Sequence, residues 1–201
     1  MAMTRWVLED VRRFYDRAAV VYPVVDWFLA RAKRRLLVKE VNRLPAGKLL
    51  EIGVGTGSHL GLYRRHEVTG IDISSCMLDR AKCRTSRVRL LAMDGENLEF
   101  ATGSFDYAVL SHVLSVTPSP ERMLLEARRV VRPGGRVLIL NHDSPTGPLG
   151  WFDRCAQLAA PVLRCTVHFR VAGIDAIEQF SAMEQRAAWP GGYEKLFICH
   201  R

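Results

Sequence analysis

The hydrophobic positions divide the chain into a helical entry and an alternating body. Residues 5–43 carry apolar side chains at spacings of three and four, interrupted at Pro23, which predicts two helices that break near the proline. From Lys48 onward, short apolar runs alternate with helix-like segments. The runs predict strands at 48–52, 68–72, 88–93, 107–113 and 136–141. The segments between them predict helices at 58–66, 75–85 and 119–131.

The C-terminal part of the chain has a different order of elements. They are predicted as a helix from Pro148 to about Arg164, a short helix at 174–180, and strands at 181–189 and 193–199. The segment Trp189-Pro190-Gly191-Gly192 between those strands is typical of a tight hairpin turn, so the two strands should pair antiparallel. Strands that alternate with helices favour a mostly parallel sheet covered on both faces. We therefore expect one α/β domain over residues 1–201, with a doubly wound, seven-stranded sheet that ends in an antiparallel hairpin.

Composition limits the class of protein further. The chain has 201 residues, 48% of them apolar, which suffices for one hydrophobic core. Its five cysteines are odd in number and form no C-x-x-C pair, so neither a disulfide framework nor a metal site is predicted. The apolar stretch 18–30 contains Pro23 and Asp26 and is shorter than the roughly 20 residues of a membrane-spanning helix. Because no signal-peptide pattern precedes it, we expect a cytoplasmic protein.

Positive charge is concentrated near the start of the chain. The formal net charge is +8, and residues 1–45 hold ten basic and five acidic side chains. A basic surface of this kind attracts nucleic-acid phosphates or anionic lipid headgroups. Large apolar residues lie among these cations, as in helices that dock on a bilayer. The predicted membrane contacts are four cations of this segment: Arg31, Lys33, Arg34 and Arg35.

The stretch EIGVGTGSHL, residues 51–60, places glycines at alternate positions directly after the first predicted strand. Glycine at the carboxyl end of a parallel strand lets the backbone approach a ligand that a Cβ would exclude. Asp72 ends the second strand about 20 residues later, where a carboxylate binds a ribose diol. The glycine spacing differs from the G-x-G-x-x-G of dinucleotide sites, and the acid Glu51 precedes it. A carboxylate facing this pocket favours a cationic or zwitterionic nucleoside as the ligand. S-adenosylmethionine, which carries an amino group and a sulfonium, meets this description.

Five sequence elements follow the order of a known family. They are E-x-G-x-G-x-G at 51–57, Asp72, Met93-Asp94-Gly95-Glu96, Ser104-Phe105-Asp106 and Arg132-Pro133-Gly134-Gly135. With these elements the chain resembles the class I S-adenosylmethionine-dependent methyltransferases. The resemblance implies a Rossmann-like fold with a helical lid at 1–45 and a catalytic core at 46–201. It also implies these cofactor contacts: Tyr15, Glu51, Gly53, Gly55, Gly57, Asp72, Ile73, Met77, Asp94, Gly95, Glu96 and Ser111.

In that family the glycine loop passes the methionine part of the cofactor, Asp72 takes the position that binds the ribose hydroxyls, and Asp94 the position near the adenine amine. The methyl acceptor, by contrast, is not set by the fold. The segment VLSHVLSVTPSPE at 109–121, Leu140-Asn141-His142-Asp143 and the entry from Tyr15 to Tyr22 resemble bacterial phospholipid N-methyltransferases. This resemblance implies methylation of phosphatidylethanolamine to phosphatidylcholine, with S-adenosylhomocysteine as the second product, by an enzyme peripheral to the membrane. A monomer is expected.

Other methyl acceptors, and a role without turnover, are the alternatives to this interpretation. Ubiquinone and menaquinone C-methyltransferases share the Tyr-x(6)-Tyr entry, so a quinone or another hydrophobic small molecule is the alternative acceptor. Pro23 departs from the Asp that often follows the second tyrosine in these relatives. Nucleic acid is not an expected partner, because Ser111-His112-Val113-Leu114 stands where DNA methyltransferases carry an Asp/Asn-Pro-Pro-aromatic or Pro-Cys motif. A sensor that binds the cofactor without turnover would have an acceptor pocket that lacks a base.

An ethanolamine ammonium has a pKa of roughly 10 and must lose a proton before its nitrogen attacks a methyl group. The candidate groups that accept this proton lie near strand ends or on the covering helix, and are Tyr22, His112 and His142. The remaining histidines, at positions 59, 66, 168 and 200, are expected to be structural or at the surface.

Overall fold

The computed structural model describes residues 8–19, 34–145, 166, 168–188 and 193–201. The predicted break at Pro23, the helix predicted after Pro148 and the hairpin turn at 189–192 lie outside these residues. Three predicted site residues, Tyr22, Arg31 and Lys33, also lie outside them. In the part of the chain that is described, no helix is both long and apolar enough to cross a membrane.

Seven strands form one sheet. They are β1 (Lys48–Ile52), β2 (Glu67–Asp72), β3 (Arg89–Ala92), β4 (Phe105–Ser111), β5 (Val131–His142), β6 (Ala182–Ala187) and β7 (Glu194–His200). Their order is β3-β2-β1-β4-β5-β7-β6. The first five strands pair in parallel, whereas β7 runs antiparallel between β5 and β6. The predicted doubly wound sheet with an antiparallel C-terminal pair is therefore confirmed.

The described helices cover both faces of this sheet. They are α1 (Leu8–Ala18), α2 (34–43), α3 (Ser75–Lys82) and α4 (Pro120–Val130), with short 3-10 helices at Leu60–Leu62, Val171–Gly173 and Asp175–Gln179. Side-chain caps fix where two of them begin: Ser74 Oγ accepts from the N–H of Met77, and Ser119 Oγ accepts from the N–H of Arg122. Pro120 occupies the first turn of α4, where its missing N–H costs nothing.

The helix predicted at 58–66 is wrong, because only the 3-10 turn at Leu60–Leu62 forms there. The side chain of Asn42 takes hydrogen bonds that a continuing helix would make within its own backbone. Its Nδ2 donates to the Leu62 carbonyl at 2.9 Å, and its Oδ1 accepts from the N–H of Arg64 at 3.0 Å. The short helix predicted at 174–180 forms as the 3-10 helix Asp175–Gln179, and a further 3-10 turn, Val171–Gly173, precedes it.

The bounds of two central strands also differ from the sequence pattern. The β4 strand ends at Ser111, two residues earlier than predicted, because His112 adopts a left-handed φ of +57°. The β5 strand begins at Val131, five residues before the predicted start at 136, so the segment 132–135 lies inside it. Val131 pairs with Phe105 but Arg136 pairs with Tyr107, so residues 132–135 form an irregular insertion in the ladder.

The hydrophobic core extends over both faces of the sheet. Leu50 and Ile52 of β1 belong to a buried cluster that includes Leu124 of α4. Leu49, which points the other way, belongs to a second cluster that includes Leu37 of α2. The alternation along β1 therefore fixes α4 and α2 against opposite faces, and it holds α2 close to the end of β1.

The Ser104-Phe105-Asp106 element lies at the edge where the parallel strands begin, opposite the edge where they end. Asp106 Oδ2 accepts from the N–H of Lys48 at 2.7 Å, and its Oδ1 accepts from Nε of Arg132 at 2.5 Å. These contacts join the starts of β1 and β4 to the irregular segment of β5. The hydrogen bond from Arg132 holds the pKa of Asp106 below its usual value, so the carboxylate is ionised at neutral pH.

Candidate active site

A cavity that is partly open to solvent lies where β1, β2 and β4 end. Its wall combines the loops that follow these strands with residues of α1, α2 and the loop after β3. The predicted cofactor contacts that line it are Tyr15, Gly53, Gly55, Asp72, Ile73, Met77, Asp94, Gly95 and Ser111. Glu51, Gly57 and Glu96 are not among the lining residues.

The glycine loop, residues 53–58, forms the part of the wall next to β1. Gly53 and Gly55 have φ values of +75° and +53°, in the left-handed region that side chains rarely adopt. A Cβ at Gly53 would lie 2.6 Å from Cγ2 of Val113, whereas a Cβ at Gly55 would meet no atom of the described residues within 4 Å. The Gly55 backbone is therefore open, and a side chain there would take space that a ligand could use.

Gly57 and Gly95 have a packing role. A Cβ at Gly57 would lie 2.8 Å from the Cβ of Ala81 on α3. A Cβ at Gly95 would lie 2.7 Å from Cγ2 of Ile52. Gly57 thus allows the loop to approach α3. It has this packing role and is not part of the cavity wall.

Asp72 is fixed at the end of β2 by backbone groups. Its Oδ2 accepts from the N–H of Gly55 at 2.8 Å, and its Oδ1 accepts from the N–H of Ser74 at 2.9 Å. Burial raises the pKa of Asp72, although these two hydrogen bonds act in the opposite direction. The Ser74 hydroxyl also donates to Oδ1 of Asp16 at 2.5 Å, which ties α1 to the loop that carries Asp72.

The two acids predicted after β3 have different positions. Asp94 lines the cavity, and its Oδ1 accepts from the N–H of Glu96 at 2.8 Å. Glu96 Oε1 accepts from Thr117 Oγ1 at 2.5 Å and from the N–H of Ser119 at 2.8 Å. Glu96 therefore holds the loop before α4, which contributes Thr117 to the cavity wall, and is not itself a wall residue.

Glu51 was expected to face the cavity, but it is fully buried and is not among the lining residues. Its Oε1 lies 2.6 Å from Nε2 of His59, which is buried and does line the cavity. Burial raises the pKa of Tyr63 well above its usual value; the Glu51 carboxylate adds to this shift and Arg34 opposes it. A buried carboxylate requires a polar or charged partner, and His59 provides it. At this point the wall therefore presents an imidazole where a carboxylate was expected.

Arg34 is part of the cavity wall. Its Nη1 donates to Oγ of Ser58 in the glycine loop at 2.5 Å. The neighbouring Arg35 is exposed to solvent. The four cations predicted as one group of membrane contacts are therefore not equivalent, because Arg34 points into the site. A guanidinium there is suited to a carboxylate group of a ligand.

Ser111 and His112 form the wall at the end of β4. Ser111 Oγ is buried and has no hydrogen-bond partner among the residues that the structure describes. The His112 backbone N–H donates to the Leu140 carbonyl at 2.7 Å, and its side chain lines the cavity. His112 Nδ1 lies 3.7 Å from Oε2 of Glu194, the first residue of β7. A titratable ring is thus placed at the cavity wall with a carboxylate nearby.

His142, the other described candidate for proton transfer, has different surroundings. Its ring stacks on Tyr193 with centroids 5.6 Å apart, and it also contacts the ring of Phe169. Its Nε2 lies 3.1 Å from the carbonyl oxygen of Thr166. His142 is absent from the described lining of the cavity, whereas His112 is part of it.

Three residues of the site were missed or misplaced by the sequence analysis: His59, Arg34 and Glu194. The signal for His59 was available, because a buried acid at the end of β1 must find a partner close by. The Arg34 position depends on how α2 packs on the sheet. Glu194 has no local signal, since it reaches His112 only because β7 is inserted antiparallel and begins where the parallel strands end.

Comparison with known proteins agrees with this architecture. Residues 50–139 match a family model described as a methyltransferase domain. The phosphatidylethanolamine N-methyltransferase of Cereibacter sphaeroides is 35% identical over 193 residues, which cover 92% of this chain and 94% of that protein. The ubiquinone/menaquinone biosynthesis C-methyltransferase of Syntrophotalea carbinolica is 33% identical over 153 residues, which cover 70% of this chain and 65% of that protein.

A solved structure extends the comparison to the fold. The phosphoethanolamine N-methyltransferase 2 of Haemonchus contortus, in complex with S-adenosyl-L-methionine, superposes with a TM-score of 0.74 at 18% identity. The superposition covers 95% of this chain and 60% of that one. A relative that matches almost end to end, a matching family model and the same sheet topology lead to one assignment. The chain belongs to the S-adenosylmethionine-dependent methyltransferases of Rossmann-like fold, and S-adenosylmethionine is its cofactor.

Proposed function

We propose that the chain methylates the amine of phosphatidylethanolamine, and of its mono- and dimethyl derivatives, toward phosphatidylcholine at a membrane surface. The observation that carries this proposal is the match to the Cereibacter sphaeroides phosphatidylethanolamine N-methyltransferase, which spans 92% of this chain and 94% of that protein. Acceptor choice depends on residues placed around a fold rather than on the fold itself. A match that extends beyond the shared core is therefore the better guide to the acceptor.

The second candidate is C-methylation of a quinone-type acceptor. It is supported by the 33% identity to the Syntrophotalea carbinolica enzyme, close to the 35% of the phospholipid enzyme. That match, however, covers 70% of this chain and 65% of the quinone enzyme. We rank it second because the unmatched part of each chain is larger.

The described residues fit the cofactor. Gly55 offers an open backbone position, and Ser111 Oγ is buried in the wall without a partner in the described part of the chain. We assign the ribose hydroxyls to Asp72, the adenine end to Asp94, and the carboxylate of the methionine part to Arg34. When bound, S-adenosylmethionine supplies an electrophilic methyl group on a sulfonium, so placing the acceptor nitrogen in line with it accounts for much of the rate.

The acceptor nitrogen has to be neutral when it attacks. We assign His112 as the group that takes a proton from the ethanolamine ammonium and releases it to water. The amine lone pair then forms the new C–N bond while the bond between carbon and sulfur breaks, which leaves an N-methyl ammonium. Each product returns the same nitrogen with one more methyl group, so the same site performs successive transfers until no proton remains to be removed.

Access to a lipid amine requires contact with the bilayer. Exposed cations lie on both described N-terminal helices: Arg12, Arg13 and Arg17 on α1, where Glu9 pairs with the first two, and Arg35 and Lys39 on α2. On α1, Leu8 and Val11 instead line the cavity. This arrangement supports docking by attraction to anionic lipid, with the N-terminal helices between the membrane and the cofactor.

A labelled-methyl assay tests the proposed function. Vesicles of phosphatidylethanolamine and phosphatidylglycerol should yield mono-, di- and trimethylated lipid in sequence. Gly55→Val should abolish the reaction, whereas Gly61→Val, at an exposed glycine whose would-be Cβ has no atom of the described part of the chain within 4 Å, should retain it. Label that enters the quinone fraction of a total lipid extract, and not its phospholipids, would replace this proposal with the second candidate.

A further inference from the structure

His112 has an unusual backbone for a residue with a side chain. Its φ of +57° makes it the one non-glycine residue with positive φ among those the structure describes. Such a conformation is strained for a residue with a side chain, whereas glycine would adopt it freely. The conformation ends β4 and turns the His112 ring into the cavity wall.

Glu194 is the charged group behind this ring. It is the first residue of β7 and is 4% exposed. Its Oε2 lies 3.7 Å from Nδ1 of His112, and Glu194 itself is not part of the described cavity lining. A carboxylate at this position beside the ring favours a proton on Nδ1 and stabilises the imidazolium form.

We propose that Glu194 is a positioning residue for His112, an inference that rests on the proposed N-methylation. The Glu194 carboxylate accepts a hydrogen bond from the N–H at Nδ1 of His112. Nε2 is then the ring nitrogen that exchanges a proton with the substrate ammonium. A separation of 3.7 Å is longer than a hydrogen bond, and such contacts often shorten when a substrate closes the site. The carboxylate also stabilises the imidazolium that forms when His112 takes the substrate proton.

The other charged groups around His112 on β5 and β7 have their own partners. Asp143 Oδ2 lies 2.6 Å from Nζ of Lys195, and Asp143 Oδ1 accepts from the N–H of Val171 at 3.0 Å. The His142 ring is stacked on Tyr193. Among the described ion pairs, Glu194 is therefore the carboxylate that faces His112.

Turnover by the full chain on phosphatidylethanolamine vesicles is the first measurement. Glu194→Gln should lower kcat by about 10-fold to 100-fold, because an amide that donates to Nδ1 favours the opposite tautomer. The acidic limb of its rate profile should move to lower pH, because the imidazolium loses its neighbouring carboxylate. Glu194→Asp should restore part of kcat. Glu67→Gln, an exposed acid at the start of β2, is the matched control and should leave both kcat and the profile unchanged.

The tautomer of His112 is the second measurement, and it does not depend on the acceptor. Nitrogen-15 spectra of histidine-labelled protein should show His112 with its proton on Nδ1 in the wild type and a shift toward Nε2 in Glu194→Gln. His112→Asn identifies the signal by its loss, since asparagine also tolerates the left-handed backbone.

The outcomes separate the two proposals. A wild type that does not methylate phosphatidylethanolamine refutes the proposed function, and the tautomer spectra still decide the role of Glu194. An unchanged tautomer in Glu194→Gln, or an unchanged kcat and pH profile in an active enzyme, overturns the positioning role. A loss of kcat that only follows a lower melting temperature or weaker cofactor binding also overturns it, in favour of a structural role.

Discussion

Nε2 of His59 lies 2.6 Å from Oε1 of Glu51, and the two buried side chains come from opposite ends of the glycine loop. The acid that precedes the glycines therefore acts on the cavity through a histidine. Because His59 lines the cavity and Glu51 does not, the pair presents the cofactor with an imidazole held in place from behind. This relationship makes the region sensitive to the loss of either partner.

Removing the histidine alone should destabilise the fold. His59→Leu leaves the buried Glu51 carboxylate without the imidazole and with Tyr63 as its remaining hydrogen-bond neighbour, and we expect the free energy of unfolding to fall by about 3 kcal/mol. Adding Glu51→Gln should recover part of this loss, because the second change removes the uncompensated charge. Urea unfolding of the single and double variants measures the coupling. His200→Leu, whose histidine lies 3.5 Å from the exposed Glu184, is the control, and a similar loss there would contradict a special role for the buried pair.

Substitutions at the neighbouring glycines 55 and 57 should differ in their effects on cofactor binding and on stability. Gly55→Ala places a methyl group where no atom of the described residues lies within 4 Å; it should lower S-adenosylmethionine affinity at least tenfold, with a cost in stability of about 1 kcal/mol from the strained φ of +53°. Gly57→Ala brings a Cβ to 2.8 Å from Ala81, so it should lower the melting temperature as well. Calorimetric titration and thermal unfolding, with Gly61→Ala as control, test this. Equal losses of affinity at Gly55 and Gly61 would count against the assigned position of the cofactor.

The sequence predicted the sheet well because its cues are local. Apolar runs, the glycines at 53, 55 and 57 and the cap at Ser119 each act within a few residues, and the strands and α4 formed close to their predicted bounds. The helix predicted at 58–66 failed because Asn42, from a distant segment, takes its backbone hydrogen bonds.

The candidate site was predictable only where it follows strand ends. Asp72, Asp94, Ser111 and His112 each come directly after or at the end of a parallel strand, and all line the cavity. Glu51 was expected in the wall but turned out to be buried beside His59. Glu194 could not be found from sequence, because its contact with His112 depends on the antiparallel placement of β7.

Stability should depend on pH through Asp106. The hydrogen bond from Arg132 depresses the pKa of Asp106 in the folded protein, so the ionised acid favours the folded state. This contribution is present above the unfolded pKa of about 3.9 and is lost as the pH falls through the lower folded value. Urea unfolding of wild type and Asp106→Asn should therefore differ at pH 6 and converge in strong acid. Asp79→Asn is the control and should show no difference from the wild type over this range. A difference between wild type and Asp106→Asn that stays constant from pH 6 to pH 2 would refute the linkage.

The adjacent cations Arg34 and Arg35 should affect two different measurements. Arg34 lines the cavity and donates to Ser58 at 2.5 Å, so Arg34→Ala should weaken S-adenosylmethionine binding by about tenfold to a hundredfold through loss of a charge-assisted contact. Arg35 is exposed, so Arg35→Glu should leave cofactor binding unchanged. Calorimetric titration of both variants measures this half of the prediction.

Vesicle co-sedimentation measures the other half. Each basic residue near an anionic surface contributes about 1 kcal/mol at low salt, so Arg35→Glu should lower partitioning onto phosphatidylglycerol vesicles on the order of tenfold, and added salt should reduce the difference. Arg34→Ala should partition like the wild type, because its guanidinium is directed at the glycine loop. The charge reversal Lys82→Glu on exposed α3 controls for a general effect of net charge. Equal losses for Lys82→Glu and Arg35→Glu would mean that attraction to the membrane is not localised to the N-terminal helices.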